Sequence, residues 1–438
     1  MKRRNFIYNS SILAAGTGFL HLPSFSANRA NEKIILAIVG CNSRGAEHAR
    51  MIPTIPNAEI GYICDVDELV LQKTIAQIEK LTGKKPKGYK DVRKLLEEKD
   101  LDAIIIATPD HWHAPAALMA LKAGKHVYIE KPCSHNPAEG EMLVLAAEKY
   151  KKFVQVGSQR RSFPAVMDAI KRLHEGVIGD VYYAKGWYAR RRASIGEAKI
   201  ISPPATLDYE LWQGPAPRKP YRSNLIHYNW HWFWHWGTGE ALNNGTHEFD
   251  VMRWGLNVKA PIQVVSAGST LQYSDSWETP DTQTITHLFP GNKMISWEGH
   301  STSDFKNEGS GRGVVFYGSK GNMIIPGGDD YKIVDIKNKL IEEVKSKLGE
   351  VDATNPIGMG ASLDRTHLVN FMDTLRGNAK LTAPISEGHL SNLLPQLGNI
   401  ALRTGKTLKT DPLTGRIDDK EAMKLWSRAY EKGWEMKL

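Results

Sequence analysis

The feature that most constrains this chain is a rhythm in its first third. Five short, mainly apolar runs alternate with helical patterns. The runs are Glu32–Val39 (EKIILAIV), Ala58–Asp65 (AEIGYICD), Asp102–Thr108 (DAIIIAT), His126–Glu130 (HVYIE) and Phe153–Gly157 (FVQVG). They are rich in β-branched residues and lack the apolar–polar alternation of a half-exposed strand, so they read as strands buried on both faces. Helices are expected after Gly45 to about Ile52, over Leu69–Lys80, over Pro115–Ala123 and over Pro137–Lys149. Strict alternation of this kind implies an α/β fold with a doubly wound parallel sheet, helices covering both faces.

The pattern changes after a helix near Pro164–His174. Val181–Tyr188, Ile262–Gly268, Thr282–Phe289, Lys293–His300 and Gly313–Tyr317 read as strands that alternate or carry aromatics. Gly318-Ser319-Lys320-Gly321 reads as a tight hairpin. Further helices are expected over Thr366–Arg376, His389–Arg403 and Asp419–Trp434. The chain has 438 residues, enough for two or three domains. We expect one over residues 32–157 and a second α/β domain, with an antiparallel or mixed sheet, over 158–438.

The N-terminus begins Met1-Lys2-Arg3-Arg4-Asn5-Phe6-Ile7, continues with an apolar stretch from Ile12 to Leu22, and offers small residues at Ser24–Ala27. A charged start, an apolar run too short to span a bilayer and a cleavage-like site predict a signal peptide over residues 1–26. The paired arginines resemble a twin-arginine signal, which implies a periplasmic or otherwise exported protein without a membrane anchor. The alternative is a frayed N-terminal helix on a cytoplasmic protein. The net charge of +9 comes from 57 Lys+Arg against 48 Asp+Glu. The basic residues are mostly scattered and match no nucleic-acid-binding signature, so no nucleic-acid partner is expected. Cys41, Cys64 and Cys133 fit no metal or CxxC spacing and are too few for a disulfide framework.

The turn after the first strand is Gly40-Cys41-Asn42-Ser43-Arg44-Gly45. Glycines at such a turn let backbone N–H groups approach a pyrophosphate at a helix N-terminus. The middle glycine of the usual pattern is Asn42 here, a residue expected to tolerate the positive φ a glycine would supply. Asp65 ends the next strand, 20 residues after Gly45, where an acid accepts ribose hydroxyls. Thr108-Pro109 ends the third strand at the same carboxyl edge. Together these predict a dinucleotide site. A carboxylate would repel a 2′-phosphate, so the cofactor expected is NAD rather than NADP.

The run Thr108-Pro109-Asp110-His111-Trp112-His113, followed by Glu130-Lys131-Pro132, resembles the Gfo/Idh/MocA family of sugar and inositol oxidoreductases. The likeness continues through Gly237–Trp254 (GTGEALNNGTHEFDVMRW), the Gly318–Gly321 turn and His367–Ile417. The resemblance implies a Rossmann domain followed by an open-faced, mostly antiparallel sheet. One face of that sheet would serve the substrate and the other homo-oligomer contacts. It implies cofactor contacts from Gly40, Asn42, Ser43, Arg44, Gly45, Asp65, Thr108, Pro109, His113, Glu130 and Lys131. Lys131 would face the reacting hydroxyl, and the Lys131–Pro132 bond is a candidate cis peptide. His247 matches the family's catalytic histidine. Asn243 stands where an aspartate usually precedes it. An amide can orient the imidazole without stabilising its cation, so His247 is expected to be less basic than in that pairing.

Trp230-His231-Trp232-Phe233-Trp234-His235-Trp236 leads into this motif. Sugars stack their C–H faces on such rings, but aromatics equally fill interfaces. Gln159, Arg160, Tyr188, Trp230, His231, Trp234 and His247 are the expected substrate contacts, with Arg161 and Arg190–Arg192 as further candidates. His227, His231 and His235 would form a stripe on a helix, but no HExxH-type acid accompanies them and no metal is expected. The leading reading is hydride transfer between NAD and a C–OH of a small carbohydrate, glycoside or polyol. Export favours a tightly held cofactor, and with it an alternative: glycoside hydrolysis or lysis through transient oxidation and elimination. A non-catalytic sugar- or nucleotide-binding protein is the third reading.

Overall fold

The computed structural model describes residues 33–345 and 361–438. The expected signal segment lies outside them. The first sheet has six strands: β1 (Ile34–Val39), β2 (Ala58–Cys64), β3 (Lys87–Tyr89), β4 (Ala103–Ile106), β5 (His126–Ile129) and β6 (Val154–Val156). Their order is β3-β2-β1-β4-β5-β6 and every pairing is parallel. β1, β4, β5 and β6 are almost wholly buried, which is why they read as unbroken apolar runs. The chain order reverses between β1 and β4. Their carboxyl ends, Val39 and Ile106, are in register. A ligand crevice opens at such a switch point.

The second sheet has nine strands: β7 (Val181–Ala189), β8 (Gln263–Ser269), β9 (Thr282–Phe289), β10 (Lys293–His300), β11 (Arg312–Gly318), β12 (Gly321–Pro326), β13 (Tyr331–Asp335), β14 (Leu340–Val344) and β15 (Leu408–Lys409). The order is β14-β13-β12-β11-β7-β10-β9-β8-β15. Only the β10–β7 pairing is parallel. Ser319 and Lys320 form the expected tight connection between β11 and β12. One face of the sheet buries Ile285, Ile295, Trp297, Val314 and Phe316 against helices Pro164–His174, Gly245–Leu256 and Ile385–Thr404.

The remaining chain closes the two units onto each other. Leu368, Phe371 and Met372 of helix Ala361–Leu375 join the apolar cluster beside β1 and β2. The helix expected over Asp419–Trp434 is not formed. A single 3-10 turn, Ala422–Leu425, stands there, and the rest is irregular. Trp426 is buried in the core of the second sheet, and Trp434 packs edge-on to Trp112 at 5.1 Å. The apolar residues of this tail serve two different surfaces rather than one helix face. β3, β12, β13, β14 and β15 are not among the strands expected above; β3, β14 and β15 are short edge strands, whereas β12 and β13 lie inside the second sheet. All three cysteines are buried and unpaired.

Candidate active site at the switch point of the parallel sheet

A cleft lies at the carboxyl ends of β1, β2, β4 and β5. Gly40 takes φ +81°, and a Cβ there would meet Ala107 O at 2.7 Å and Thr108 N at 2.8 Å. A Cβ on Gly45 would stand 1.8 Å from Gly40 O. The two glycines therefore let strand, turn and helix Ser43–Met51 close on one another. Asn42 is extended at φ −78° and ψ 162°, contrary to the expectation of positive φ; the positive φ falls on Ser43, at 40°. The departure at Asn42 thus carries no backbone penalty. Asn42 makes no side-chain cap, so this end of the helix keeps the anion-binding character of free N–H groups.

Asp65 accepts from Cys41 N at 2.7 Å and from Asp67 N at 2.9 Å, bracing the turn from below. Burial raises its pKa, and the two backbone bonds oppose that shift. Lys90 lines the same end of the cleft and is paired with Glu68 at 2.9 Å. Thr108 Oγ1 is buried without a partner among the described residues, on a residue that lines the cleft. A glycine cradle, a helix N-terminus, a ribose-side acid and this orphaned hydroxyl fit a dinucleotide.

The opposite end gathers Lys131, Gln159, Arg192, Tyr228, His231, Asn243, Asn244 and His247. Lys131 follows β5, and its bond to Pro132 is cis, as expected. Its Nζ donates to Asn243 O at 2.6 Å. Burial lowers its pKa, while Glu130 and Asp110 pull the other way. Glu130 is not a free ligand. Its Oε1 is met by Arg44 Nε at 2.9 Å, His48 Nε2 at 2.8 Å and Gln159 Nε2 at 3.0 Å. Burial alone would raise Glu130; Arg44 and His48 hold it well below the usual carboxylate range. Arg44 also donates to Asp364 Oδ2 at 2.7 Å, so its guanidinium is occupied by two carboxylates rather than left for phosphate. His113 lies 2.6 Å from Pro132 O and 2.8 Å from Thr108 O, fastening the ends of two strands together.

Asn243 does not orient His247. It ends helix Gly239–Asn243, and Asn244 separates that helix from Gly245–Leu256, so Asn243 and His247 share no continuous helical face. Its amide turns to Glu240 Oε1 at 3.2 Å and Tyr228 OH at 3.4 Å, and its carbonyl holds Lys131. The pKa of His247 is nevertheless well below the ordinary value. The causes are burial first, then Arg312 and Lys131.

Three expected substrate contacts are displaced. Arg160 is buried away from the cleft, donating to Pro326 O at 2.5 Å, with burial pulling its pKa down to about 10. Tyr188 lies beneath Arg192, which donates to its hydroxyl at 3.1 Å. Trp234 lines a separate pocket and bonds Glu278 O at 3.1 Å. The aromatic stretch divides its work. Trp230 and His231 face the cleft, their ring centroids 3.6 Å apart. Trp232 stacks on Trp277 at 4.1 Å, and Trp236 packs on Trp212. Only Asn229–Trp232 is helical, as a 3-10 turn, so His227, His231 and His235 form no stripe. They pair separately with Asp67, Tyr228 O and Pro217 O.

Asp67, Trp212, Tyr228 and Asn244 also line the cleft, and little in the sequence marks them. Tyr228 adjoins the aromatic run and Asn244 adjoins Asn243, which are the only local signals. The segment carrying Trp212 and Tyr228 reaches the cleft by bonding back to the end of β2, Glu68 N to Thr206 O and Asp208 N to Val66 O. Arg190 and Arg192 do line the cleft; Arg161 instead pairs with Asp250 at 2.9 Å.

Residues 34–158 match the NAD-binding Rossmann domain of the Gfo/Idh/MocA oxidoreductase family, and residues 191–323 match the C-terminal alpha/beta domain of that family. A glycosyl hydrolase family 109 protein of Shewanella sp. (strain ANA-3) is 27% identical over 161 residues, 36% of this chain and 35% of the relative. The matched part spans less than half the length of such curated relatives. Among solved structures, levoglucosan dehydrogenase in complex with NADH and L-sorbose superposes with TM-score 0.67 at 15% identity, over 86% of this chain and 99% of that one. The WlbA dehydrogenase from Bordetella pertussis, in complex with NADH and UDP-GlcNAcA, gives 0.64 at 19% identity, over 87% and 99%. These structures share the fold. With both of the family's domains matched and the cleft built for a dinucleotide, the chain belongs to the Gfo/Idh/MocA oxidoreductases and carries their NAD-binding Rossmann domain.

Proposed function

We propose that this protein oxidises a carbohydrate at a CH–OH group, with Lys131 and His247 handling the hydroxyl proton. One observation carries the reading: Lys131 and His247 converge at one end of the cleft whose other end is formed by Gly40–Arg44 and Asp65. Gly40, Gly45 and the N-terminus of helix Ser43–Met51 would hold the pyrophosphate, and Asp65 the ribose. NAD, when bound, supplies hydride acceptance. Lys131 keeps its Nζ fixed through Asn243 O and has further N–H donors for a substrate hydroxyl. His247, kept neutral by burial and by neighbouring cations, can accept the proton that the hydroxyl loses. Trp230 and His231 offer ring surface, and Arg192, Tyr228 and Asn244 offer polar contacts to the remaining hydroxyls.

A second reading, glycoside cleavage by transient oxidation and elimination, is favoured by the family 109 glycosyl hydrolase relatives. It would require a retained cofactor and leave no net redox change. Purified protein without added cofactor is assayed against chromogenic glycosides and, with added NAD, against polyols and free sugars. Net NADH formation supports the first reading. Aglycone release without NADH supports the second. Stoichiometric NADH binding with no turnover on either panel would leave a binding protein and refute both.

A further inference from the structure

Arg192 brings a cation to the reacting end of the cleft, with its side chain 15% exposed. A guanidinium binds a carboxylate or sulfate best through two parallel N–H groups. Here the fork formed by Nε and Nη2 is already filled from within the protein. Nε donates to Glu240 Oε2 at 3.2 Å, and Nη2 donates to Glu240 Oε1 at 3.4 Å. Nη2 also donates to Tyr188 OH at 3.1 Å. The guanidinium lies 5.9 Å from the centre of the Tyr188 ring, 5.6 Å from that of Tyr228 and 5.8 Å from that of Trp232. Three rings and a carboxylate together hold the cation in place. Glu240 is itself 4% exposed and does not line the cleft. Besides Arg192, its carboxylate accepts from Asn243 Nδ2 at 3.2 Å, from Asn244 Nδ2 and from Ser301 Oγ at 3.3 Å. These donors follow β7, end helix Gly239–Asn243 and follow β10, so Glu240 is tied from three sides and cannot swing away to make room for a second carboxylate.

This arrangement sorts ligands by charge. Nη1 of Arg192 takes no part in either pair, so a sugar hydroxyl can still accept a hydrogen bond from it. An anionic substituent gains little there, because the fork is occupied and the charge is balanced. It would also approach Glu240, and an interface rejects a wrong partner through such like-charge contacts. The neighbouring cations are committed as well. Arg44 is shared by Glu130 and Asp364, and Lys131 Nζ is fixed to Asn243 O. Arg190 also lines the cleft, so the test below separates its contribution from that of Arg192. We propose that Glu240 is a specificity-determining residue: by neutralising Arg192 it fits the reacting end of the cleft to an uncharged sugar and turns away uronates and sugar sulfates. The assignment rests on the carbohydrate reading of the cleft.

The probes are matched pairs that differ only in charge: methyl glucoside with methyl glucuronide, and methyl galactoside with methyl galacturonide, both anomers of each. They are titrated calorimetrically into the full-length protein saturated with NADH. The parent is expected to bind the neutral member of a pair at least tenfold more tightly. Glu240→Gln keeps the side chain's size and removes its charge; a melting curve and an NADH titration establish that it is folded. The uronide-to-glycoside affinity ratio should rise at least tenfold in this variant, and adding Arg192→Gln should abolish the gain. A merely structural loss would weaken both members alike. Phenylglyoxal labelling, read by peptide mass spectrometry, needs no sugar and no variant: Arg192 should react at least tenfold more slowly than the exposed Arg191 beside it. Equal binding of both members by the parent would overturn the assignment, as would Arg192 labelled as fast as Arg191. An unchanged ratio in folded Glu240→Gln, or a gain that survives the loss of Arg192, would overturn it too. Failure of the carbohydrate reading looks different: neither member of any pair binds, and the assignment falls with it.

Discussion

Replacing Gly45 by alanine tests how the dinucleotide end of the cleft is built. The added Cβ would sit 1.8 Å from Gly40 O and 2.9 Å from Gly40 C, and real Cβ contacts stay above 3.0 Å. Gly40 cannot yield. Its N–H is bonded to Cys64 O at 2.9 Å, and a residue away Ala107 N bonds Val39 O at 2.8 Å, so both flanking strands hold it. Helix Ser43–Met51 must therefore back away from the turn and carry its first N–H groups with it. Overpacking of this kind costs ~1–3 kcal/mol of stability. Losing one hydrogen bond to a charged phosphate costs ~1.5–3 kcal/mol of binding. At ~1.4 kcal/mol per decade, NADH affinity should fall about 10- to 100-fold. Fluorescence titration with NADH measures this, and a melting curve establishes that the variant is folded. A folded Gly45→Ala protein binding NADH within threefold of the parent would refute the reasoning.

Three further outcomes are expected. Lys131→Met should lower kcat by ~10²–10⁴-fold, the usual range for a lost proton-transfer group, while NADH affinity stays within about threefold; steady-state kinetics and the same titration separate the two effects. Glu130→Gln removes the charge shared by Arg44 and His48 in a buried network and should cost ~3–5 kcal/mol in chemical denaturation. Because the folded-state pKa of Glu130 is depressed, its contribution is present above the unfolded value of ~4.3 and is lost as pH falls through the folded one. The parent should therefore lose more stability than Glu130→Gln between neutral and acid pH; equal losses would contradict the network. For His247, whose pKa is also depressed, the neutral base persists until pH drops well below ~6.5. The acid limb of kcat/KM should lie below that value and vanish in His247→Gln, and a limb at or above it would show that burial does not govern this imidazole.

The parallel sheet, its switch point, Gly40, Gly45 and Asp65 were legible in the sequence because the signals are local. An apolar run, a turn and a strand-end acid each declare themselves within a few residues. The second sheet was legible in β7 to β11, whose patterns are strong, and not in β12 to β15. Residue roles at the reacting end were less legible. Arg44 was expected among the cofactor contacts; it lines the cleft, but its guanidinium joins Glu130 to Asp364, which lies 320 residues further along the chain. Asn243 was expected to steer His247, but a helix break turns its amide to Glu240 and hands its carbonyl to Lys131.

The aromatic run shows the same division. Composition foretold sugar-facing rings or packing; only the fold assigned Trp230 and His231 to the cleft, Trp232 and Trp236 to ring stacks, and Trp234 to a second pocket. The sequence by itself determined which elements form and where a dinucleotide docks, because those depend on short-range periodicity and backbone geometry. Which side chains meet across the cleft depends on contacts between residues far apart in sequence, and only the tertiary structure decided them.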